Sequence, residues 1–370
     1  MQTNKDTKLP TRVIDAHHHF VDTRPAQDGG NGDDFQAFLA SLLPNEVYFP
    51  GQYYMDVVKP LAEKGVTLAA SVHIECMPND GAQEVAWVES FTTTGNDDDK
   101  PCTVQGMVAS CDLSSPTVED DLQKIMAASP TGKVKGIRWI LDCIGKFEPN
   151  TATHVGTKRH DGIDYLRGSH GPDTYDGTVV PDFERGFALL EKYNLSFDLQ
   201  CAPVQLHQAA ELCKRHPEVL VCIDHFGKPR TVLGPDKNDD ETINPNTVPD
   251  AQDLEDWRAG MKVMSECSNV YVKLSMIGYA IPGWIRTPER RALMQTLVRE
   301  VLDMFGPQRC MMAWNWWKNG AVSDSDFLSD VGPTPLQYLE FMAACLEPYT
   351  PEEQDRVYYG TAAEFYKLSI

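Results

Sequence analysis

His17 and His19, in the run Val13-Ile14-Asp15-Ala16-His17-His18-His19-Phe20, are the residues best placed by type and spacing to do chemistry. The run reads as a strand. Alternate residues of a strand face one side, so His17 and His19 share a pocket while His18 points away. Two imidazoles roughly 6–7 Å apart on rigid backbone suit a divalent metal. Further polar residues fall at the ends of apolar runs: Glu75, Arg138, Gln200, Asp224-His225 with Lys228 just beyond, Lys273 and Asn315. Charged groups in such places are costly unless paired, bound or solvated in a site. Gathered around one opening they would supply acids, bases and cations to a small-molecule substrate.

The elements that must position them recur along the chain. Apolar, strand-like runs cover 13–19, 67–76, 104–111, 134–141, 195–201, 219–226, 270–275 and 309–315. Amphipathic helical segments are predicted between most of them, at 83–92, 118–128, 182–193, 204–215, 253–267 and 288–305, with two more at 335–346 and 351–366. Eight nearly continuous apolar strands alternating with helices predict an α/β fold, a (β/α)8 TIM barrel. An open doubly wound sheet would place a Gly-rich phosphate turn after its first strand, where the histidines stand instead. Three long loops, at about 21–60 (with a helical pattern at 34–43), 143–180 and 227–250, leave strand C-termini, the face where barrel enzymes build their sites. One barrel domain over 1–370 is expected.

Composition narrows the partners. The formal net charge is -21, from 33 basic and 54 acidic residues, which disfavours nucleic acid and anionic membranes. Hydrophobic residues at 42% and charged residues at 24% fit a globular protein. No run is long enough to span a bilayer, and the polar start carries no signal-peptide pattern, so a cytoplasmic location is expected. The ten cysteines lack a repeated spacing, and Cys76, Cys111, Cys201, Cys222 and Cys310 lie in apolar runs, as buried reduced thiols do.

Several motifs together resemble the amidohydrolase-related family, in its sugar- and dicarboxylate-lactonase branch. They are Ile14 to His19; His73-Ile74-Glu75-Cys76 followed by Glu84 to Val88; Val134-Lys135-Gly136-Ile137-Arg138; Ile223 to Pro229; Val270 to Ser275; Arg309 to Asn315; and Gly360 to Tyr366. The first His-x-His and Asp224-His225-Phe226-Gly227-Lys228-Pro229 are the specific ones. The resemblance implies hydrolysis at the barrel mouth, metal-assisted or metal-independent. His17, His19 and His225 match metal-binding positions, with His225 also able to polarise a substrate carbonyl. Glu75 and Arg138 match pocket positions, and Lys228 and Lys273 would add charge for substrate binding.

Two departures shape the expectation. Gln200 replaces a histidine common on strand five, so at most one divalent ion is expected, Zn²⁺ first. Asn315 replaces the strand-eight aspartate that accepts a proton from water, and a carboxamide has no titratable acceptor. Glu75 is then the first candidate base, with Asp324 and Asp326 second, and Asp224 can face outward. The leading activity is hydrolysis of a sugar-acid or dicarboxylic lactone. Non-oxidative decarboxylation and an inactive, ligand-binding barrel are the alternatives. A small-molecule substrate is the expected partner, with a homo-oligomer as a compatible assembly.

Overall fold

The computed structural model describes residues 8–24, 47–93, 102–142, 163–168, 177–229, 232–234, 238, 240, 242–315 and 333–370. Eight parallel strands follow one another around a single sheet: β1 (Arg12–His18), β2 (Thr67–Ile74), β3 (Val104–Ser110), β4 (Val134–Arg138), β5 (Ser196–Leu199), β6 (Val221–Ile223), β7 (Val270–Leu274) and β8 (Cys310–Met312). Helices follow on the outside, among them Gly81–Thr93, Val118–Ala127, Pro181–Lys192, Leu206–Arg215, Ala251–Ser265 and Pro288–Phe305. The fold is a (β/α)8 TIM barrel. Between β8 and β1 the seam is closed by two contacts beyond the strand ladders. The Asn315 N–H donates to His17 O at 2.7 Å. The Asp15 carboxylate accepts from the Trp314 N–H at 3.0 Å, the His17 N–H at 3.1 Å and the Tyr53 hydroxyl at 2.8 Å.

Two hydrophobic layers hold the barrel. Inside it, Ile14, Ala16, Val72, Ile74, Cys222 and Met311 pack together, and Phe365, the last residue of the helix Thr361–Phe365, and Tyr366 just after it join them. Outside it, alternate strand residues such as Val13, Phe197 and Val272 meet the helices. Helix starts follow local chemistry. Asp250 caps Ala251–Ser265 by accepting from the N–H groups of Gln252 and Asp253, and Thr334 with Gln337 forms a capping box ahead of Pro335–Leu346.

The structure corrects several expectations. Part of the predicted 21–60 loop is ordered secondary structure: Val21–Asp22 pairs antiparallel with Val47–Tyr48, and 50–62 is helical, with a π turn at Tyr54–Val58. Buried Tyr53, Val57 and Leu61, four residues apart, give that helix an apolar face against the barrel. The predicted helix at 351–366 is helical from 351 to 365, its middle turn at Arg356–Gly360 wound as a π turn between Pro351–Asp355 and Thr361–Phe365. β6 and β8 are three residues each, because the polar residues at their predicted ends leave the ladder for the mouth. The 34–43 segment, Trp316, Trp317, Asp324, Asp326, His154, His160 and His170 lie outside the described residues. Among the described residues no helix is long and apolar enough to cross a membrane, and all nine described cysteines are free.

Candidate active site

β1 delivers its histidines through a register irregularity. Ile14 and Ala16 face the barrel interior, so strict alternation would send His18 inward next. The pairing of β1 with β2 shifts between Asp15 and His18 instead, as a bulge does when it re-aims a side chain. His17 and His19 therefore face the mouth. His18 turns outward, buried against Tyr53, Phe20 and His73 at ring-centroid separations of 4.6, 4.7 and 5.8 Å.

The Nε2 atoms of His17 and His19 lie 3.3 Å apart, and Asn315 Oδ1 is 3.1 Å from His19 Nε2. His19 Nδ1 is 2.8 Å from the carbonyl of Ile74. A carbonyl only accepts, so Nδ1 carries the proton and Nε2 presents a lone pair. Electron-pair donors thus converge on one point, the arrangement a cation would resolve. Two imidazoles on one tetrahedral Zn²⁺ would have nitrogens about 3.3 Å apart, so the residues fit one divalent ion. His225 lies close, with its ring centroid 4.9 Å from that of His17, and Nδ1 is 3.0 Å from Ser275 Oγ. Burial holds His17, His18 and His19 well below the usual imidazole range and lowers His225 to about 3, so all four are neutral near pH 7.

His17, Asp224 and His225 also offer ligand atoms within 4.8 Å of one another. That cluster already holds a cation. The Lys273 ammonium lies 3.0 Å from Asp224 Oδ1 and 3.3 Å from His17 Nδ1. A divalent ion there would meet like charge in a low-dielectric interior, which leaves the His17–His19–Asn315 side as the better seat.

Behind the histidines runs a buried ionic network. Arg138 donates through Nε to Glu75 Oε1 at 2.7 Å, through Nη2 to the Glu75 carbonyl at 2.7 Å and through Nη1 to Asp224 Oδ2 at 3.3 Å. Lys273 also donates to Asp198, which accepts the Tyr366 hydroxyl at 2.9 Å. Lys228 donates to Asp142, whose Oδ2 also accepts from Gln200 Nε2 at 2.9 Å. Burial alone would lower the Lys273 pKa, but Asp198 and Asp224 outweigh it and raise it. Burial pushes Asp198 up to about 6. For Asp224 burial is outweighed by Lys273 and His17, which hold it well below the usual carboxylate range.

Among the described residues the mouth brings together the predicted His17, His19, Glu75, Arg138, Lys228, Lys273, His225 and Asn315, all buried there, while the second candidate bases Asp324 and Asp326 lie outside the described residues. Two expectations change. Asp224 faces inward, fully enclosed, because the turn after β6 swings it between Arg138 and Lys273. Glu75 is not an unengaged base: Oε1 receives Arg138, and Oε2 accepts the Met77 N–H at 2.7 Å. Sequence reasoning passed over Asp142, Asp198 and Ser275. Asp198 had a signal, being an acid in the middle of the apolar run Ser196–Leu199.

The backbone at the mouth is unusual too. Met77, His225, Phe226, Lys228, Met276 and Asn315 are non-glycine residues with positive φ, and all follow barrel strands. Such conformations persist where surroundings over-determine them, typically at functional sites. After β6, the Trp257 Nε1–H donates to Phe226 O at 3.0 Å and pins the turn. Gly227 has φ +73°, and a Cβ there would sit 2.3 Å from Met261 Sδ. Gly227→Ala should lower stability by about 1–3 kcal/mol through strain and overpacking. An unshifted urea midpoint would show that the turn can relax.

With eight parallel strands and a histidine-lined mouth at their C-terminal ends, the chain has the build of a barrel hydrolase. The amidohydrolase family model matches residues 14–368, and the chain belongs to that family. The uncharacterized protein y4mH of Sinorhizobium fredii (strain NBRC 101917 / NGR234) is 24% identical over 363 residues, which is 96% of this chain and 98% of that protein. An L-fucono-1,5-lactonase of Burkholderia multivorans (strain ATCC 17616 / 249) is 30% identical over 138 residues, 36% of this chain and 42% of the relative. A solved amidohydrolase from Burkholderia multivorans with bound zinc superposes with a TM-score of 0.63 at 20% identity, over 96% of this chain and 99% of that one, a likeness of fold.

Proposed function

We propose that this amidohydrolase-family protein is a lactonase, opening a sugar-acid or dicarboxylic lactone. The observation that carries the reading is the meeting of His17 Nε2, His19 Nε2 and Asn315 Oδ1 over 3.1–3.3 Å beside a neutral His225. The similarity to an L-fucono-1,5-lactonase supports the cyclic ester. His17, His19 and Asn315 would hold one divalent ion, with His225 adjacent, and such an ion supplies Lewis acidity toward an ester carbonyl. His225 is unprotonated at neutral pH, so its imidazole can hydrogen-bond the attacking water or the lactone carbonyl. Glu75 holds the Arg138 guanidinium against the mouth and steadies that side of the pocket.

Purified protein should release acid from members of a lactone panel and contain no more than one tightly held metal per chain. Carbon dioxide release in place of lactone opening, or two tightly held metals, would overturn the reading. On a confirmed substrate, His225→Asn should lower turnover by roughly 10²–10³-fold, the scale of losing one hydrogen bond to the reacting group. Glu75→Gln should lower it too, with a fall in unfolding midpoint that His225→Asn lacks, because Arg138 loses a charge partner. Asn315→Asp should preserve or raise turnover. A Glu75→Gln variant with wild-type stability and a flattened pH–rate profile would return the base to Glu75.

A further inference from the structure

Three cations at the mouth, Arg138, Lys228 and Lys273, are the groups that would greet an anionic substrate, and each is already committed to a carboxylate. Arg138 serves Glu75 and Asp224, Lys273 serves Asp198 and Asp224, and Lys228 serves Asp142. Four carboxylates thus face three cations. Beside any ion that His17, His19 and Asn315 would hold, a substrate carboxylate pairing with one of these three cations would have to displace its buried partner, which is costly when nothing replaces the lost pairing.

The same network leaves one acceptor unanswered. Asp142 stands four residues beyond the end of β4, held by Gln200 after β5 and Lys228 after β6. Both of those donors engage Oδ2. Oδ1 is buried and has no hydrogen-bond partner among the described residues, in a residue only 1% exposed. Buried polar atoms are nearly always satisfied, so such an orphan calls for a donor brought from elsewhere. A hydroxyl can donate to it, whereas an ionised carboxylate has no hydrogen to give and would repel it.

We propose that the mouth selects an uncharged, polyhydroxylated ring lactone over carboxylate-bearing lactones, with Asp142 Oδ1 receiving a ring hydroxyl of the substrate. This rests on the lactonase reading and narrows it. Asp142 thereby becomes the specificity-determining residue, and Lys228 orients it rather than binding an anion.

The test is a pair of calorimetric titrations of the full-length protein with hydrolysis-resistant lactams. One is D-galactono-1,5-lactam, neutral and polyhydroxylated; the other is 2-pyridone-4,6-dicarboxylate. At least tenfold tighter binding of the neutral lactam is expected. Equal or tighter binding of the dicarboxylate, or binding of neither, overturns the proposal. Asp142→Asn, which removes the charge and releases Lys228, should weaken the neutral lactam at least tenfold and narrow the preference. A folded Asp142→Asn variant that retains wild-type selectivity overturns the role of Asp142, and should that variant not fold, the wild-type titrations decide. Neutral-lactam binding without hydrolysis of the parent lactone would refute the lactonase reading while leaving the ligand class standing. Preferred hydrolysis of carboxylated lactones would do the reverse.

Discussion

Lys273→Met is expected to lower unfolding stability by about 3–5 kcal/mol, the loss typical of breaking a buried ionic network by removing one partner. The ammonium is fully buried inside the barrel, serving Asp198 and Asp224 and touching His17 Nδ1. Methionine fills similar volume but leaves Asp198 with the Tyr366 hydroxyl and Asp224 with Arg138 and the neutral His17 ring. The deficit should shrink as the pH falls from 7.5 toward 6, because without Lys273, which lowers it, Asp198 takes up its proton at a higher pH than in the parent, where it titrates at about 6. Urea unfolding at pH 7.5 and pH 5.5 measures both quantities. A midpoint unchanged at both values would show that the barrel interior does not depend on this pair.

The second large effect is acid lability. His17, His18, His19 and His225 are neutral when folded and would bind protons below about pH 6.5 once unfolded. For these groups the unfolded chain binds more protons, so stability falls as the pH falls. Burial works the other way on Asp15, pushed up to about 7, on Asp198 at about 6 and on Glu84, which is also raised. These carboxyls hold protons in the fold and release them on unfolding. Four imidazoles against two or three carboxyls leave one to two protons taken up on unfolding near pH 5. Stability should then drop by about 1.4–3 kcal/mol per pH unit between pH 6 and 4.5. A stability that stays level or rises over that interval would mean that the carboxyls dominate.

How far the site could be read in advance depends on what kind of signal each residue carries. The barrel was legible because eight apolar runs and the helices between them obey different periods, and the helix at 288–305 matches the predicted bounds. His17 and His19 were legible because a strand places alternate residues together. The mechanism that does so here was not, since a bulge leaves no mark in a sequence that also satisfies simple alternation. Asp15 shows the cost: it shares the parity of His17 in the sequence, yet it faces the seam. Pairing was the least legible property. Lys228 and Lys273 were recognised as mouth residues, but their carboxylate partners Asp142, Asp198 and Asp224 are distant in sequence and single-residue reasoning cannot supply them. The helix at 50–62 was missed because Pro60 and the two tyrosines around its π turn weaken its local helical signal.

The seam described above has a kinetic consequence. Asp15 and Trp314 are 299 positions apart, and Asn315 reaches back as far to the carbonyl of His17. Contacts of such long range form late, after loop-closure entropy has been overcome. Until β8 has been synthesised, β1 and the last completed strand present unpaired edges to whatever surrounds the nascent chain. The contact that closes this gap is also the one that brings the Asn315 carboxamide to the two imidazoles. Closure of the barrel and the appearance of its lone-pair cluster are therefore one event, and a partly folded chain has the open edges without the site.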